Sequence, residues 1–200
     1  MVASARGAGP SAYDPAVTLR IALLPGDGVG QEVIAEAQKV LDALGLDIAW
    51  TELDWGADRW HRTGTMMPED WEETLRTHDA CMLGACGHPS VADHISLWKM
   101  ILPIRQRLDL WANLRPVRLL PGVPTPLAGR TAADIDMLFV RENSEGEYAG
   151  VGGRAHQGQT TEVGIETSVF TRAGVERVVR HAFGRAAERR GLLTSATKSN

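Results

Sequence analysis

The chain has 200 residues, of which 44% are apolar and 23% charged, and its formal net charge is −4. This composition is typical of a globular protein, and the slightly acidic balance lacks the basic footprint of a nucleic-acid-binding protein. The two cysteines, Cys81 and Cys86, lack the spacing of a zinc site. No apolar run reaches the ~18 residues that a membrane span needs. We therefore expect a cytoplasmic protein that binds neither nucleic acid nor membrane.

The first half of the chain alternates between short apolar runs and amphipathic segments. Residues 1–18 are rich in Ala, Gly, Ser and Pro and lack the apolar middle of a signal peptide, so a disordered leader is predicted there. The periodicity then predicts strands at 20–24, 47–54 and 80–85 and helices at 31–44 and 68–76. Strand, helix, strand, helix, strand indicates an α/β fold with a doubly wound layer.

The second half is less regular. Pro103 is expected to kink or break a helix over 95–108, and the Gly-rich stretch 146–164 predicts an exposed loop or hairpin arm. The other predicted elements are an extended segment at 112–120, a buried strand at 135–140 and a helix from Glu166 or Thr171 to Arg190. Residues 192–197 resemble the approach to a further strand, so we expect the chain to stop before its domain is complete.

Arginine is unusually dense among apolar residues in the middle of the chain, at Arg105, Arg107, Arg115, Arg118 and Arg141. Arg141 ends an apolar strand, and strand ends in α/β sheets are where ligands bind. Guanidinium groups bind carboxylates through two parallel hydrogen bonds, so convergent arginines would suit a small dianion. The alternative is that these arginines form surface ion pairs, which are common and weak.

Four motifs follow one another: LLPGDGVG at 23–30, NLRPVR at 113–118, VRENSEGEY at 140–148 and TKSN at 197–200. Each is a weak signal alone. In this order and spacing they resemble the isocitrate and 3-isopropylmalate dehydrogenase superfamily. Two further segments, MMPEDW at 66–71 and DHISLW at 93–98, are similar to its tartrate and decarboxylating D-malate dehydrogenase branch, as is the stretch 114–124.

This resemblance implies an isocitrate/isopropylmalate dehydrogenase-like α/β fold, truncated before the carboxy-terminal part of its large domain. It places 19–110 in the large domain and 111–200 in a central dimerisation domain with an arm near 146–165. It also implies roles for single residues. By resemblance, the residues that bind the substrate are Arg105, Arg115 and Arg141, and those that are catalytic are Tyr148 and Lys198.

The implied reaction is the NAD-linked oxidative decarboxylation of a small 2-hydroxy acid of the D-malate or tartrate class, with Mg²⁺ or Mn²⁺. In the family the metal ligands are aspartates beyond the catalytic lysine, so no metal ligand is expected in this chain. No cofactor-binding residue is identified either. The complete protein is expected to be a homodimer. The alternative is a truncated, non-catalytic fragment that oligomerises, and a free-standing nucleotide-binding module is a weaker third hypothesis.

Trp98 lies seven residues before Arg105, or about two helical turns, so both side chains are predicted to face the same side. A large rigid side chain there would fill the space that a substituent on the substrate needs. The expectation is that Trp98 contributes to substrate binding and favours four-carbon acids over 3-isopropylmalate. The alternative is that Trp98 belongs to the core.

Overall fold

The computed structural model describes residues 17–196 and the short strand Val2–Ser4. The contacts between residues divide the chain into two units, Met1–Leu108 and Asp109–Asn200. Their junction lies beside the boundary predicted at 110/111. Within the described residues, no helix combines the length and the apolar character that crossing a membrane requires.

The first unit is built on a four-stranded sheet in the order β1-β4-β2-β3, in which only β1 runs antiparallel to its neighbour. Its strands are β1 (Val2–Ser4), β2 (Leu19–Gly26), β3 (Ile48–Glu52) and β4 (Ala80–Ala85). Its α-helices are α1 (Val29–Ala43), α2 (Ala57–Thr63), α3 (Trp71–Arg76), α4 (Asp93–Ser96) and α5 (Leu102–Arg107). The strands and helices predicted for this half are therefore confirmed.

Two details of this unit differ from the prediction. Val2–Ser4 pairs with β4, although it lies in the leader predicted to be disordered; residues 1 and 5–16 of that leader are outside the described residues. Helix α2 was missed, because its seven residues are too few to display an apolar period. Gly64 ends this helix in the left-handed conformation with φ 75°, as glycine commonly does.

Helix α1 lies directly on β2 and β4 because two glycines allow a close approach. A Cβ on Gly84 would come within 2.9 Å of the Ile34 side chain, and one on Gly30 within 2.1 Å of the Pro25 carbonyl oxygen. On this helix only Gly30 and Ile34 are buried. One side of the helix carries a stripe of exposed apolar residues, Val29, Val33 and Val40, which continues to Leu44 just after the helix end.

Residues 93–107 are helical throughout, and Pro103 does not break the helix. A π-helical turn, Leu97–Ile101, joins α4 to α5, and the proline lies in the first turn of α5. The proline has no N–H to donate to the preceding turn, and it follows directly on the π-helical turn, where the regular helical hydrogen-bond pattern is already altered. The π-helical turn holds more residues than an α-helical turn, so the seven-residue spacing no longer implies that Trp98 and Arg105 face the same side.

The second unit contains two antiparallel strand pairs and one long helix. Its elements are β5 (Ala112–Arg118), β6 (Asp136–Glu142), β7 (Gly146–Ala155), β8 (Val163–Val169) and α6 (Arg172–Ala187). Strand β6, predicted to be buried, alternates between half-buried and exposed residues, because only one of its faces is covered by α6. The hairpin β7–β8 forms an exposed ribbon where an arm was expected.

Candidate functional site

Two of the predicted arginines, Arg115 and Arg141, lie on the same face of the β5–β6 pair. Asn113 is opposite Arg141, and Arg115 is opposite Phe139. Because residues opposite one another and those two positions along share a face, both guanidinium groups project from one surface. Arg115 and Arg141 are exposed, and neither forms an ion pair with any residue that the structure describes.

The surface-ion-pair interpretation holds for two other arginines of the same group. Arg107 lies 2.6 Å from a carboxylate oxygen of Glu72, and Arg118 lies 3.5 Å from one of Asp136. Arg118 is on the opposite face of β5 from Arg115, since the two are three positions apart. The structure thus separates two arginines that have a carboxylate partner from two that have none among the described residues.

Tyr148, the predicted proton donor, lies directly against Arg141. The Arg141 Nη2 donates a hydrogen bond of 2.6 Å to the Tyr148 hydroxyl, and the guanidinium carbon lies 5.1 Å from the ring centroid. Because the hydroxyl oxygen accepts from Arg141, its own hydrogen is directed elsewhere. The two residues, seven positions apart in sequence, therefore form one contact pair of a cation and a phenol.

Arg115 is held in a different way, by a chain of amide groups. Its Nε donates to Asn113 Oδ1 at 3.1 Å, Asn113 Nδ2 donates to Asn143 Oδ1 at 3.2 Å, and Asn143 Nδ2 donates to the Leu110 carbonyl at 3.2 Å. Asn143 is only 2% exposed. Both asparagines lie in sequence motifs, but the motifs alone indicate no role for either.

The loop between β6 and β7 connects Arg141 to Tyr148 and is tightly hydrogen-bonded. The Glu142 carboxylate accepts from the Ser144 hydroxyl at 2.6 Å and from the Glu145 amide at 2.7 Å. Burial raises the pKa of Glu142, but these bonds, the Ser144 amide and the positive charge of Arg177 together hold that pKa below its ordinary value. The carboxylate therefore stays ionised and fixes the turn.

Helix α6 holds this loop from outside. Arg177 donates to the Ser144 hydroxyl and to Asp109, both at 2.9 Å, and its guanidinium carbon lies 5.2 Å from the Trp111 ring centroid. Thr171 caps the helix by accepting from the Gly174 amide. This helix was predicted from its apolar residues, but the contacts to the loop come from its polar side.

The amino end of α6 adds a second attachment. Glu145 accepts from the Thr171 amide at 2.9 Å and from its hydroxyl at 2.5 Å. A Cβ on Gly174 would come within 2.3 Å of the Glu145 carboxylate, so a larger residue there would require the Glu145 side chain to move. The loop that connects Arg141 to Tyr148 is thus held by hydrogen bonds at both Glu142 and Glu145.

Arg105 and Trp98, the remaining predicted substrate residues that the structure describes, belong to the first unit. Arg105 is on α5 and half-buried. Trp98 lies in the π-helical turn and is 41% exposed, so the alternative that it is a core residue is not supported. Lys198 and the rest of the TKSN motif lie outside the described residues.

Asp27, a residue without an assigned role in the sequence analysis, organises the carboxyl ends of β2 and β4. It is 6% exposed, and its carboxylate accepts from the Ala57 amide at 2.7 Å and the Gly87 amide at 3.0 Å. Its own amide donates to the Ala85 carbonyl at 2.7 Å. The carboxyl ends of parallel strands are where ligands bind in such sheets, and here one carboxylate joins two loops to the turn that carries Asp27.

No group of three or more His, Cys, Asp or Glu side chains within the described residues is arranged to hold a metal ion. The described residues therefore do not fit a metal site of their own. That the family's metal ligands lie beyond this chain stays a prediction.

The sequence matches the isocitrate/isopropylmalate dehydrogenase family over residues 20–200. It is 50% identical over 190 residues to a D-malate dehydrogenase (decarboxylating) of Escherichia coli, covering 92% of this chain and 53% of that protein. It is 47% identical over 193 residues to a tartrate dehydrogenase/decarboxylase of Pseudomonas putida, covering 93% and 53%. A 3-isopropylmalate dehydrogenase of Thermobifida fusca is 52% identical over 176 residues, covering 86% and 50%.

Solved structures give the same result for the fold. The chain is similar to an isocitrate dehydrogenase from Methylococcus capsulatus with a TM-score of 0.72 and 30% identity, covering 86% of this chain and 48% of that one. It is similar to a beta-decarboxylating dehydrogenase from Thermococcus kodakarensis with a TM-score of 0.61 and 32% identity, covering 85% and 46%. The chain spans about half the length of the curated relatives it matches.

Proposed function

The chain belongs to the isocitrate/isopropylmalate dehydrogenase family, and from this we propose that it supplies the substrate-carboxylate side of an oxidoreductase active site. The reaction we propose is the NAD-linked, metal-dependent oxidative decarboxylation of a small 2-hydroxy acid of the D-malate or tartrate class. The names of its relatives support that class. We place the reaction, as expected from the sequence, in the cytoplasm.

One observation carries the proposal. Arg115 and Arg141 share a face of the β5–β6 pair, are exposed, and have no carboxylate partner among the described residues. The Tyr148 hydroxyl is hydrogen-bonded to Arg141. Two unneutralised guanidinium groups on one surface attract a dianion, and each can bind a carboxylate through two hydrogen bonds. By resemblance, Arg105 of the first unit is also predicted to bind the substrate.

The residues would act in the following way. The arginines hold the carboxylates, and Lys198 takes the proton of the substrate hydroxyl during oxidation. Loss of carbon dioxide from the β-keto acid leaves an enolate, and Tyr148 donates its hydroxyl proton to the enolate carbon. Arg141 supports that step by fixing the phenol with its 2.6 Å hydrogen bond, so that the donor is already oriented.

The metal and NAD would need groups beyond those that the structure describes. The described residues contain no suitable cluster of metal ligands, so we assign no step to the metal through them. For the same reason the 200-residue chain alone is expected to show no turnover with D-malate or tartrate, NAD and Mn²⁺.

The test is a fusion of this chain to the carboxy-terminal half of the Escherichia coli D-malate dehydrogenase that it resembles. We expect the fusion to form NADH from D-malate or tartrate in a Mn²⁺-dependent way. In the fusion, Tyr148→Phe should lower kcat at least about a hundredfold, because a general acid contributes that much or more. Tyr13→Phe, at the chain's other tyrosine, is the matched control and should leave kcat unchanged.

The arginines are tested in the same fusion. Arg141→Lys keeps the charge but loses the planar fork, so kcat/KM should fall by about tenfold or more. Arg118→Lys, which alters an arginine already paired with Asp136, should have little effect. A soluble fusion without NADH formation, or an equal effect of both lysine variants, would contradict the proposed function.

A second candidate role is oligomerisation. The strands β7 and β8 are exposed along nearly their whole length, and an isolated two-stranded ribbon is only marginally stable in water. We propose that the ribbon packs against a second copy of the chain in a homodimer. A fusion with the Escherichia coli half that dimerises but forms no NADH would favour this role over the enzymatic one.

A further inference from the structure

The amide of Asn143 has only one orientation that fits its surroundings. Its Nδ2 donates to the Leu110 carbonyl and its Oδ1 accepts from Asn113, each at 3.2 Å. Turning the amide over would place its oxygen against a carbonyl oxygen and its NH₂ against an NH₂ group. At 2% exposure the side chain has little access to water that could compensate, so the orientation is fixed by the backbone.

That orientation is passed on to Asn113. Because its Nδ2 is used by Asn143, its Oδ1 must point the other way, where it accepts from the Nε of Arg115 at 3.1 Å. The guanidinium group is planar, so fixing the Nε–H also restricts the plane in which the two terminal nitrogens lie. The direction of a backbone carbonyl at Leu110 thereby sets the orientation of an arginine on an exposed sheet face.

The bond uses the Nε edge of Arg115 and leaves the edge formed by its two terminal nitrogens. Neither terminal nitrogen contacts a carboxylate within the described residues. Arg141, on the same face, is oriented by a different partner, the Tyr148 hydroxyl. The two arginines are therefore held independently, each with donors left over for an anion.

We propose that Asn113 and Asn143 are positioning residues that hold Arg115 so that its two terminal nitrogens receive one carboxylate of the substrate. This inference rests on the proposed function for the identity of the anion. The substrate class is a four-carbon dicarboxylate, and Arg141 binds its second carboxylate. Asn113 itself does not bind the substrate and acts through Arg115.

The first measurement uses the complete 200-residue chain and NMR of arginine side chains. A hydrogen-bonded Nε–H exchanges slowly with water, so the Arg115 Nε–H should be visible. In Asn113→Ala it should exchange about fivefold faster or more, the factor that corresponds to one net hydrogen bond. The Nε–H of Arg118, on the opposite face of the same strand, is the internal control and should be unchanged.

The second measurement is the dissociation constant of D-malate for the fusion with the Escherichia coli half, because the metal and NAD are proposed to need groups beyond the described residues. Asn113→Ala should weaken binding about fivefold, and Arg115→Ala should weaken it more. In the Arg115→Ala background, adding Asn113→Ala should have no further effect, because a positioning residue has nothing left to position. Asn113→Thr, which suits a strand and is too short to reach Arg115, serves if the alanine variant fails to fold.

The outcomes are distinguishable. Faster exchange, weaker binding and no further effect in the double variant support the proposal. Unchanged exchange of the Arg115 Nε–H, or an equal loss of D-malate binding in both backgrounds, overturns the positioning role. A wild-type chain that shows the slow Nε–H but whose fusion binds no D-malate overturns the proposed substrate class, and with it the carboxylate role of the amide chain, although the hydrogen bonds themselves then stand.

Discussion

At the scale of single residues, both thiols lie in surroundings that keep them protonated. Burial raises the pKa of Cys81 to about 11, and burial, followed by repulsion from Asp27, raises that of Cys86 to about 12. Because the thiolate is the reactive form, both cysteines should be nearly inert to Ellman's reagent at about pH 8 in the folded chain and reactive after denaturation. One thiol reacting rapidly in the folded chain would contradict this.

The same thiols affect stability in a definite pH window. Their folded pKa values lie above the ordinary value of 9.0, so unfolding favours ionisation once the pH exceeds that value. Their contribution to stability is therefore complete below about pH 9 and is lost as the pH rises towards the folded values. Cys81→Ala and Cys86→Ala should flatten this alkaline loss in urea titrations.

Glu142 gives the opposite dependence. Its lowered pKa means that its contribution to stability is present above the unfolded value of 4.5 and is lost as the pH falls. Glu142→Gln should therefore reduce the free energy of unfolding at neutral pH by about 1–3 kcal/mol, and the difference from wild type should shrink in acid. Glu147→Gln, an exposed neighbour on β7, is the control.

Arg115, Arg141 and Tyr148 could be named from the sequence because each lies in a motif whose pattern is contiguous. The contacts of Asn143 could not, since its partners Leu110 and Asn113 are 33 and 30 positions away. Local patterns say which residue types are present but not which buried amide meets which carbonyl. Asp27 escaped notice for the same reason, because its partner amides are 30 and 60 positions away.

At the scale of elements, apolar periodicity located α1 and α6 but did not indicate what each helix covers. In α6 the apolar residues Val175, Val179 and Phe183 are exposed, while the side that meets β6 and the loop carries Arg177. An apolar stripe identifies a face that needs a partner. It does not say whether that partner lies within the same unit.

The π-helical turn removes the predicted alignment of Trp98 with Arg105, but the expectation that Trp98 affects substrate choice remains. Its exposure leaves the indole available to a ligand, and a bulky ring would exclude a branched substituent. In the fusion with the Escherichia coli half, we expect kcat/KM for D-malate to exceed that for 3-isopropylmalate, and Trp98→Ala to narrow this ratio about tenfold.

The neighbouring exposed residue Lys99 provides the control, since Lys99→Ala should leave the ratio unchanged. Equal or better turnover of 3-isopropylmalate by the unaltered fusion would remove the argument for Trp98.

At the scale of the whole molecule, the exposed apolar stripes on α1 and α6 make a prediction about association. Contiguous exposed apolar patches drive proteins together, so the 200-residue chain should be oligomeric or poorly soluble in light-scattering measurements. Val40→Glu combined with Val179→Glu should shift it towards monomer, because both residues are exposed on these stripes.

Val123→Glu, at an exposed apolar residue in a loop, is the matched substitution that should change little. A compact monomer at high concentration in the unaltered chain would count against the prediction.

The carboxylate of Asp27 has a consequence for motion. It bonds the amides of Ala57 and Gly87 at once, so neither loop can open without leaving a buried charge short of a partner. Opening one loop would admit water to the carboxylate and so weaken its bond to the other loop, and the two loops should therefore open together as one cooperative unit. In hydrogen exchange, the Ala57 and Gly87 amides should therefore share one opening rate, and a molecule that touches only one of these loops would slow the exchange of both.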